Sequence, residues 1–437
     1  MVSGETRRER IKKPSKLHYF MQASPSFVPT PGICVPCKGR LWCNLPSCPL
    51  LDRFEKKRAV QKLFEAKEFV GSSPPSVFVS WKNYPNVDIA PLSPPQLVED
   101  AAFLDNPEQW YGLPSSEILG FRQQLFRSNK KVSVHSASNP TYDVAAIQEI
   151  AMSEKQVDLD VKLKDKPKLG SSFSDLFAPM GPSASMEKFS FESNPSIPAK
   201  VDYLVSDTDA KSTTAMQELY TDGLPVHFLY KLLSAGTLGV KKNRKFVPTR
   251  WSITAVDDTV SKQLLEKVKY LPQLSEIRLF NSNYLDNNFW VMLLPNEWSF
   301  EMMETWMPGG VWTPNATDFH VAHDFEFFSG RKNYADNITG AYYSARLAVC
   351  EYLRREKRQA AAIVFREIGK GYDVPLGTWQ IRENVRHALQ KKPLAFSDID
   401  LAFAFLKSKL VVPIETYRKK SVLYDALKHQ KKILQWV

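Results

Sequence analysis

The chain has 437 residues, of which 43% are hydrophobic, and it carries a formal net charge of +11 with a pI of about 9.2. No run approaches the roughly 18 consecutive apolar residues of a membrane-spanning helix, and the basic N-terminus lacks the apolar stretch of a secretory signal. These features argue against a membrane or secreted protein. They predict a cytoplasmic, nucleoid-associated protein of about two or three domains whose basic charge favours a polyanion such as DNA.

The N-terminal segment, residues 1–28, is predicted to be a flexible basic arm. A Cys/Pro-rich segment follows, in which GICVPCKGRLWCNLPSC has the spacing Cys34-x2-Cys37-x5-Cys43-x4-Cys48. This clustering is not typical of a disulfide framework in a cytosolic chain of this size. Four thiolates can close a tetrahedral Zn²⁺ site and leave no open position for chemistry. We therefore expect a structural zinc module at residues 29–52, with an iron–sulfur cluster as the alternative.

The next part of the chain is predicted to mix helices and strands. Apolar periodicity, proline positions and alternation predict a charged helix at 53–69, a strand in SVFVS at 76–80, helices at 115–127 and 141–153, and a strand at 157–164. The Ser-, Pro- and Lys-rich residues 165–200 are expected to form a long loop.

The second half contains the strongest helical patterns. Helical periodicity is found at 207–240, two meander strands are expected at 275–285 and 288–295, and further helices are expected at 335–368, 379–390 and 397–409. Within 335–368, the run AAAIVF fits a buried strand equally well. Helices and strands mixed without regular alternation, and without an internal repeat, predict an α+β fold.

A basic cluster follows the helical pattern that ends at residue 240. It consists of Lys241, Lys242, Arg244 and Lys245. Lysine and arginine side chains clustered in this way can neutralise DNA phosphates. The cluster is therefore a candidate DNA-binding site, although a solvated protein surface has the same composition.

The final residues, HQKKILQWV, place two apolar side chains after a basic, polar run. Written as Gln430-x-x-Ile433-x-x-Trp436-Val437, they have the form of a docking peptide for the sliding clamp, PCNA. Gln430 would hydrogen bond in a polar pocket, and one short 3₁₀ turn would place the three apolar side chains on one side. The second aromatic residue of the usual pattern is replaced by Val437. The alternative is an amphipathic helix packed on its own domain.

Several long strings of the sequence resemble the archaeal Nre proteins, which are DNA repair factors. The strings are PPSVFVSWKNYPNVDIAPL, APMGPSA, KFVPTRWSITAVDDTVSK, WSFEMMETWMPGGVW, YYSARLAVCEYLRREKRQA and PLGTWQIRENVR. The resemblance covers nearly the whole chain and implies a role in the DNA damage response, two Nre domains and a terminal clamp-binding motif. SWKNYP departs from the Gly-x-x-Gly-Tyr-Pro pattern of this stretch, so a loop function there does not carry over.

The resemblance and the patterns together divide the chain into five parts. We expect two closely associated domains of mixed sheets and helices behind the small zinc module. The parts are a basic arm at 1–28, the zinc module at 29–52, the Nre N-terminal domain at 53–290, the Nre C-terminal domain at 291–412 and a basic tail at 413–437.

Whether the protein is an enzyme stays open at this point. An NAD-dependent transferase of the ADP-ribosyltransferase kind needs an arginine for the phosphates and a carboxylate near the sugar carbon, which Arg250, Ser252 and Glu383 would supply. A metal-dependent nuclease needs carboxylates around Mg²⁺. Its candidate ligands are Asp257, Asp258, Asp324 and Glu326. Each of these residues also has a structural interpretation, so a DNA-modifying enzyme delivered by the same tail is the alternative to a repair adaptor.

Aromatic and histidine side chains lie close to these candidates. The tryptophans are Trp251, Trp298, Trp306, Trp312 and Trp379. A buried aromatic core is the expected arrangement, with a base-stacking surface as the alternative. His320 and His323 are expected to be ordinary half-buried histidines.

Overall fold

The computed structural model describes residues 66–167, 181–310, 312–313 and 316–429. The predicted basic arm, the four-cysteine module and the motif at 430–437 lie outside the described residues, as does nearly all of the helix predicted at 53–69. Within the described ranges, no helix has both the length and the apolar character needed to cross a membrane.

The first sheet has six strands in the order β1-β5-β6-β4-β3-β2. They are β1 Glu68–Ser73, β2 Val77–Val79, β3 Asn86–Ser93, β4 Phe126–Ser133, β5 Val157–Leu163 and β6 Ser183–Phe191. Neighbouring strands are antiparallel except β4 and β6, which are parallel. The alternating apolar residues of β5 face a core that includes Val144 and Ile147.

The second sheet also has six strands, in the order β10-β9-β11-β8-β7-β12. They are β7 Ile277–Tyr284, β8 Asn287–Leu294, β9 Ser299–Trp306, β10 Val321–Glu326, β11 Ala361–Ile368 and β12 Leu394–Phe396. Only β9 and β11 are parallel. Every residue of β11 is buried, because Val364 packs into one core while Ile363 and Phe365 pack into another on the opposite face.

Eleven α-helices lie within the described residues. They are α1 Ser115–Gln124, α2 Tyr142–Met152, α3 Ala199–Ser206, α4 Ser212–Thr221, α5 Val226–Ser234, α6 Thr249–Val268, α7 Gly340–Glu356, α8 Trp379–Gln390, α9 Ile399–Lys407, α10 Ile414–Lys420 and α11 Val422–His429. Helix α6 joins two cores: Val256 and Val260 pack among the helices α3–α5, and Leu265 packs against the second sheet. This helix also carries Arg250 and Ser252, so its packing fixes both candidates.

Most predicted elements are confirmed, and the structure is α+β. The ambiguous run AAAIVF lies in strand β11. Helix α7 ends before it, at Glu356, because the next residue, Lys357, adopts a left-handed φ of 55°. The prediction of a loop over 165–200 is wrong for Ser183–Phe191, which form strand β6. One face of β6 is polar and exposed, while Ala184 and Met186 on the other face are buried in the core of the first sheet, and the strand pairs with both β4 and β5. The boundary expected between residues 290 and 291 falls inside β8.

Candidate nucleic-acid interface

The three candidates for transferase chemistry have separate environments. Ser252 is fully buried, and its hydroxyl donates to the backbone carbonyl of Thr249 at 2.8 Å in its own helix. The Arg250 guanidinium lies 5.7 Å from the ring of Trp81. Glu383 accepts a hydrogen bond from Arg386 at 2.9 Å. The hydroxyl of Ser252 is therefore bound to the backbone of its own helix. Arg250 lies against Trp81, whereas Glu383 is bound by Arg386.

Glu383 belongs to a buried network of charged side chains on α8. Burial raises its pKa from an ordinary 4.5 to about 7, although Arg386 and Arg382 act in the opposite direction. Arg386 also holds Glu351 at 2.7 Å, and Arg382 holds Asp257 at 2.7 Å in a pair that is almost fully buried. These pairs join α6, α7 and α8, so the network stabilises the packing of the three helices.

Replacing Glu383 with glutamine is expected to stabilise the protein at neutral pH. Between pH 4.5 and about 7 the folded state binds more protons at this site than the unfolded state, so wild-type stability falls as pH rises through that window. The variant, which cannot titrate and still accepts from Arg386, should gain at most about 3 kcal/mol over wild type above pH 7 and nothing below pH 4.5. Urea unfolding across the pH range measures this difference. Glu266→Gln, exposed on α6, is the control, and a gain independent of pH would contradict the account.

The carboxylates considered for a nuclease are each engaged by an arginine. Asp257 pairs with Arg382, and Asp258 and Glu326 share Arg346, whose Nη1 lies 2.8 Å from Glu326 Oε2. Asp324 pairs with Arg331 at 3.1 Å and also accepts from the backbone amides of Asn337 and Ile338. Across the described ranges, no three His, Cys, Asp or Glu side chains gather in a way that could hold a metal ion.

The basic cluster at residues 241–245 begins with a 3₁₀ helix, Lys241–Asn243. Lys241, Lys242 and Lys245 are exposed. Arg244 points inward and donates to the backbone carbonyls of Gly239, Val205 and Asp207 at 2.7–3.1 Å. Arg244 thus fixes the shape of the segment, while the three lysines present charge to solvent.

A group of exposed aromatic side chains lies where the β2–β3 loop meets the start of α6. Trp81 is 38% exposed, Tyr84 48% and Trp251 45%. The rings of Tyr84 and Trp251 are 5.4 Å apart with an interplanar angle of 55°. Contiguous exposed apolar side chains on a protein surface often mark interaction sites. We call Trp81, Tyr84, Arg250 and Trp251 the aromatic surface.

Hydrogen bonds donated by backbone amides join the aromatic surface to the basic segment. The amide of Val79, at the end of β2, donates to the hydroxyl of Thr249 at 2.9 Å. The amide of Val134 donates to the carbonyl of Pro85, and the amide of Phe246 donates to the carbonyl of Val134, both at 2.9 Å. The loop at 80–85 and the segment at 241–251 are therefore held through a shared short helix, Val134–Ala137.

The tryptophan prediction is confirmed only in part. Trp298 and Trp379 are buried core residues, as expected, but Trp251 is exposed. No element is predicted from the sequence over Thr249–Val268, so nothing assigns Trp251 to a buried or an exposed helix face before the structure is known. Trp81 and Tyr84 are not among the residues that the sequence marks as candidates. The loop SWKNYP, with Asn83 at a positive φ of 61°, holds them at the surface.

A buried carboxylate anchors the last described helix. Glu301 in β9 is fully buried and accepts from the Ser421 hydroxyl at 2.5 Å and from the amides of Val422 and Leu423 at 2.9 and 3.3 Å. Its negative charge at the helix N-terminus complements the helix dipole. His323 Nδ1 lies 3.3 Å from Glu301 Oε1. Helix α11 is thus fixed on the second sheet immediately before residues 430–437.

Comparison with known proteins gives a consistent result. The family model for the N-terminal part of archaeal Nre matches residues 42–313, and that for the C-terminal part matches residues 326–436. The DNA repair protein NreB of Archaeoglobus fulgidus is 38% identical over 390 residues, which cover 89% of this chain and 96% of that protein. The DNA repair protein NreA of Haloferax volcanii is 35% identical over 382 residues, covering 86% and 90%. No solved structure matches the chain.

Proposed function

The chain belongs to the archaeal Nre family, and from this premise we propose that it is a DNA repair factor that binds DNA and is recruited to the sliding clamp PCNA through residues 430–437. The relatives that support the repair role are similar over most of their own length and are named DNA repair proteins. We propose that it acts on DNA in the cytoplasm, at the nucleoid.

Two observations support clamp recruitment: the motif at 430–437 and the fixed position of helix α11 directly before it. Gln430, Ile433, Trp436 and Val437 have the spacing of a clamp-docking peptide. Glu301 and the core contacts of Leu423 hold the preceding helix on the second sheet. A docking peptide that follows a fixed helix starts from a defined position, which lowers the entropy lost on binding.

DNA binding is supported by the basic charge and by the exposed lysines of the 241–245 segment. Lys241, Lys242 and Lys245 are free of ion pairs within the described part of the chain. Lysines of this kind bind phosphates without regard to sequence and release counterions, so we expect the affinity for DNA to fall steeply with salt.

We also propose that Cys34, Cys37, Cys43 and Cys48 bind one Zn²⁺ ion in a structural module. The donor set is the support: four thiolates within fifteen residues satisfy the coordination that Zn²⁺ prefers. An iron–sulfur cluster is the other group that the same thiolates would hold.

Truncation after His429 is expected to abolish binding to the cognate sliding clamp while leaving the fold intact. Isothermal titration calorimetry should give a dissociation constant of about 1 μM or tighter for the full chain. The substitutions Ile433→Ala and Trp436→Ala together should weaken it at least about 30-fold, since they remove apolar anchors of the motif.

The matched control is Leu434→Ala, an apolar residue of the same segment that stands between the motif positions and should leave clamp affinity unchanged. All variants should keep the wild-type melting temperature. Absence of clamp binding by the full chain, with a lower melting temperature after truncation, would instead assign residues 430–437 to the fold and refute clamp recruitment.

A further inference from the structure

We propose that the aromatic surface binds single-stranded DNA by stacking unpaired bases on Trp81, Tyr84 and Trp251, with Arg250 and the adjacent lysines holding the phosphates. The inference rests on the proposed DNA-binding function and specifies its ligand. It concerns a surface on the β2–β3 loop and the start of α6, away from the motif at 430–437 and from the cysteine module in the sequence.

The exposure of the rings is the first argument. Each of the three has more than a third of its surface open to water, whereas Trp110 and Trp298 are fully buried in the same protein. A ring that only filled the core would be covered like those two. Exposed aromatic faces in a basic setting are what proteins use to hold unpaired bases, because every base has a π-face that can stack.

The mutual arrangement of the rings is the second argument. The centroids of Tyr84 and Trp251 are 5.4 Å apart and their planes are inclined by 55°, so the two rings are not stacked face to face. The Arg250 guanidinium lies 5.7 Å from the Trp81 ring. Stacking of a base beside a guanidinium that also meets a phosphate is a common element of single-strand recognition.

The loop that carries Trp81 and Tyr84 is held in a fixed shape. The hydroxyl of Ser80 accepts from the amide of Lys82 at 3.1 Å, and the amide of Asn86 donates to the carbonyl of Asn83 at 2.8 Å. Because the rings are held before any ligand arrives, little entropy is lost when a base binds.

The positive charge beside the aromatic surface favours a nucleic acid as its ligand. Lys82 is exposed within the loop itself, and Lys241, Lys242 and Lys245 are exposed on the segment that leads directly into α6. A protein partner that used the rings as apolar anchors would not require this run of cations. A duplex keeps its base faces stacked inside, so only an unpaired strand uses both the lysines and the rings.

The test compares binding of the full chain to a fluorescently labelled oligothymidylate and to a duplex of the same length, by fluorescence polarisation at one salt concentration. Trp81→Ala combined with Trp251→Ala should weaken binding of the single strand at least about tenfold and change duplex binding less than about twofold. Trp81→Phe combined with Trp251→Phe should retain most of the single-strand affinity. The control is Tyr270→Ala, because Tyr270 is 84% exposed beyond the other end of α6.

The outcomes separate this inference from the broader proposal. Wild-type binding of DNA that is unaffected by Trp81→Ala with Trp251→Ala would overturn the stacking surface and leave DNA binding intact. Equal losses for the single strand and the duplex would also overturn it, because the rings would then lack selectivity for unpaired bases. Wild-type protein that binds neither oligonucleotide would refute the DNA-binding proposal and the stacking surface together. None of these variants should alter clamp affinity.

Discussion

Replacing Arg346 with methionine is expected to lower the free energy of unfolding by about 3–5 kcal/mol. Arg346 is almost fully buried, and it donates to Glu326 at 2.8 Å, to Asp258 and to the hydroxyl of Ser261 at 2.9 Å. Burial disfavours its charge, but Glu326 and Asp258 outweigh that effect and raise the pKa of Arg346. Methionine would fill a similar volume while leaving the Glu326 carboxylate buried without its cation, so the loss arises chiefly from that carboxylate.

Urea unfolding measures the effect, and two further variants test its origin. Arg355→Met, exposed on the same helix, should change stability by less than about 0.5 kcal/mol. Adding Glu326→Gln to Arg346→Met should restore part of the loss, because the amide carries no charge and still accepts from the indole of Trp298. A double variant less stable than the sum of its parts would contradict an unpaired carboxylate as the cause.

Local pattern explains which parts of this fold are predictable from sequence. The alternation of VDLDVKLK and the helical periodicity around Val144 and Ile147 are set by one buried face each, and both elements form where they are expected. Strand β6 shows such a pattern only in two interrupted pieces. Ala184 and Met186 are buried and Phe189 and Phe191 pack against the same core, but a register shift against β5 breaks the alternation between them. Pairing with β4 and β5 from distant parts of the chain sets its conformation.

The roles of the candidate site residues are harder to predict from the sequence, for a different reason. The sequence identifies residue types suited to chemistry, but partners distant in sequence decide their roles. Arg244 is as basic as its lysine neighbours, yet three backbone carbonyls engage its guanidinium. Trp251 is as apolar as Trp298, yet in the first turn of α6 it keeps 45% of its surface exposed, with the Tyr84 ring 5.4 Å away. Such differences depend on contacts that no local pattern records.

The largest effect is expected from the proposed metal module. Metal analysis should find about one equivalent of zinc in the wild-type chain, and Cys34→Ser combined with Cys37→Ser should remove it, because two thiolates cannot complete a tetrahedral site. The apparent free energy of zinc binding in small structural modules is roughly 10–16 kcal/mol, and much of it is folding energy of the module. Loss of the metal should therefore make residues 29–52 sensitive to proteolysis while the core keeps its melting temperature.

Cys350→Ala is the control for this experiment. Cys350 is fully buried in α7, burial raises the pKa of its thiol well above the usual value, and within the described ranges it belongs to no group of three potential metal ligands. Its replacement should leave the zinc content unchanged. Iron and sulfide in place of zinc, with visible absorption, would assign the four cysteines to an iron–sulfur cluster. Wild-type protein without metal, or double-serine protein that keeps it, would refute the module, since thiolate coordination is the property on which the proposal depends.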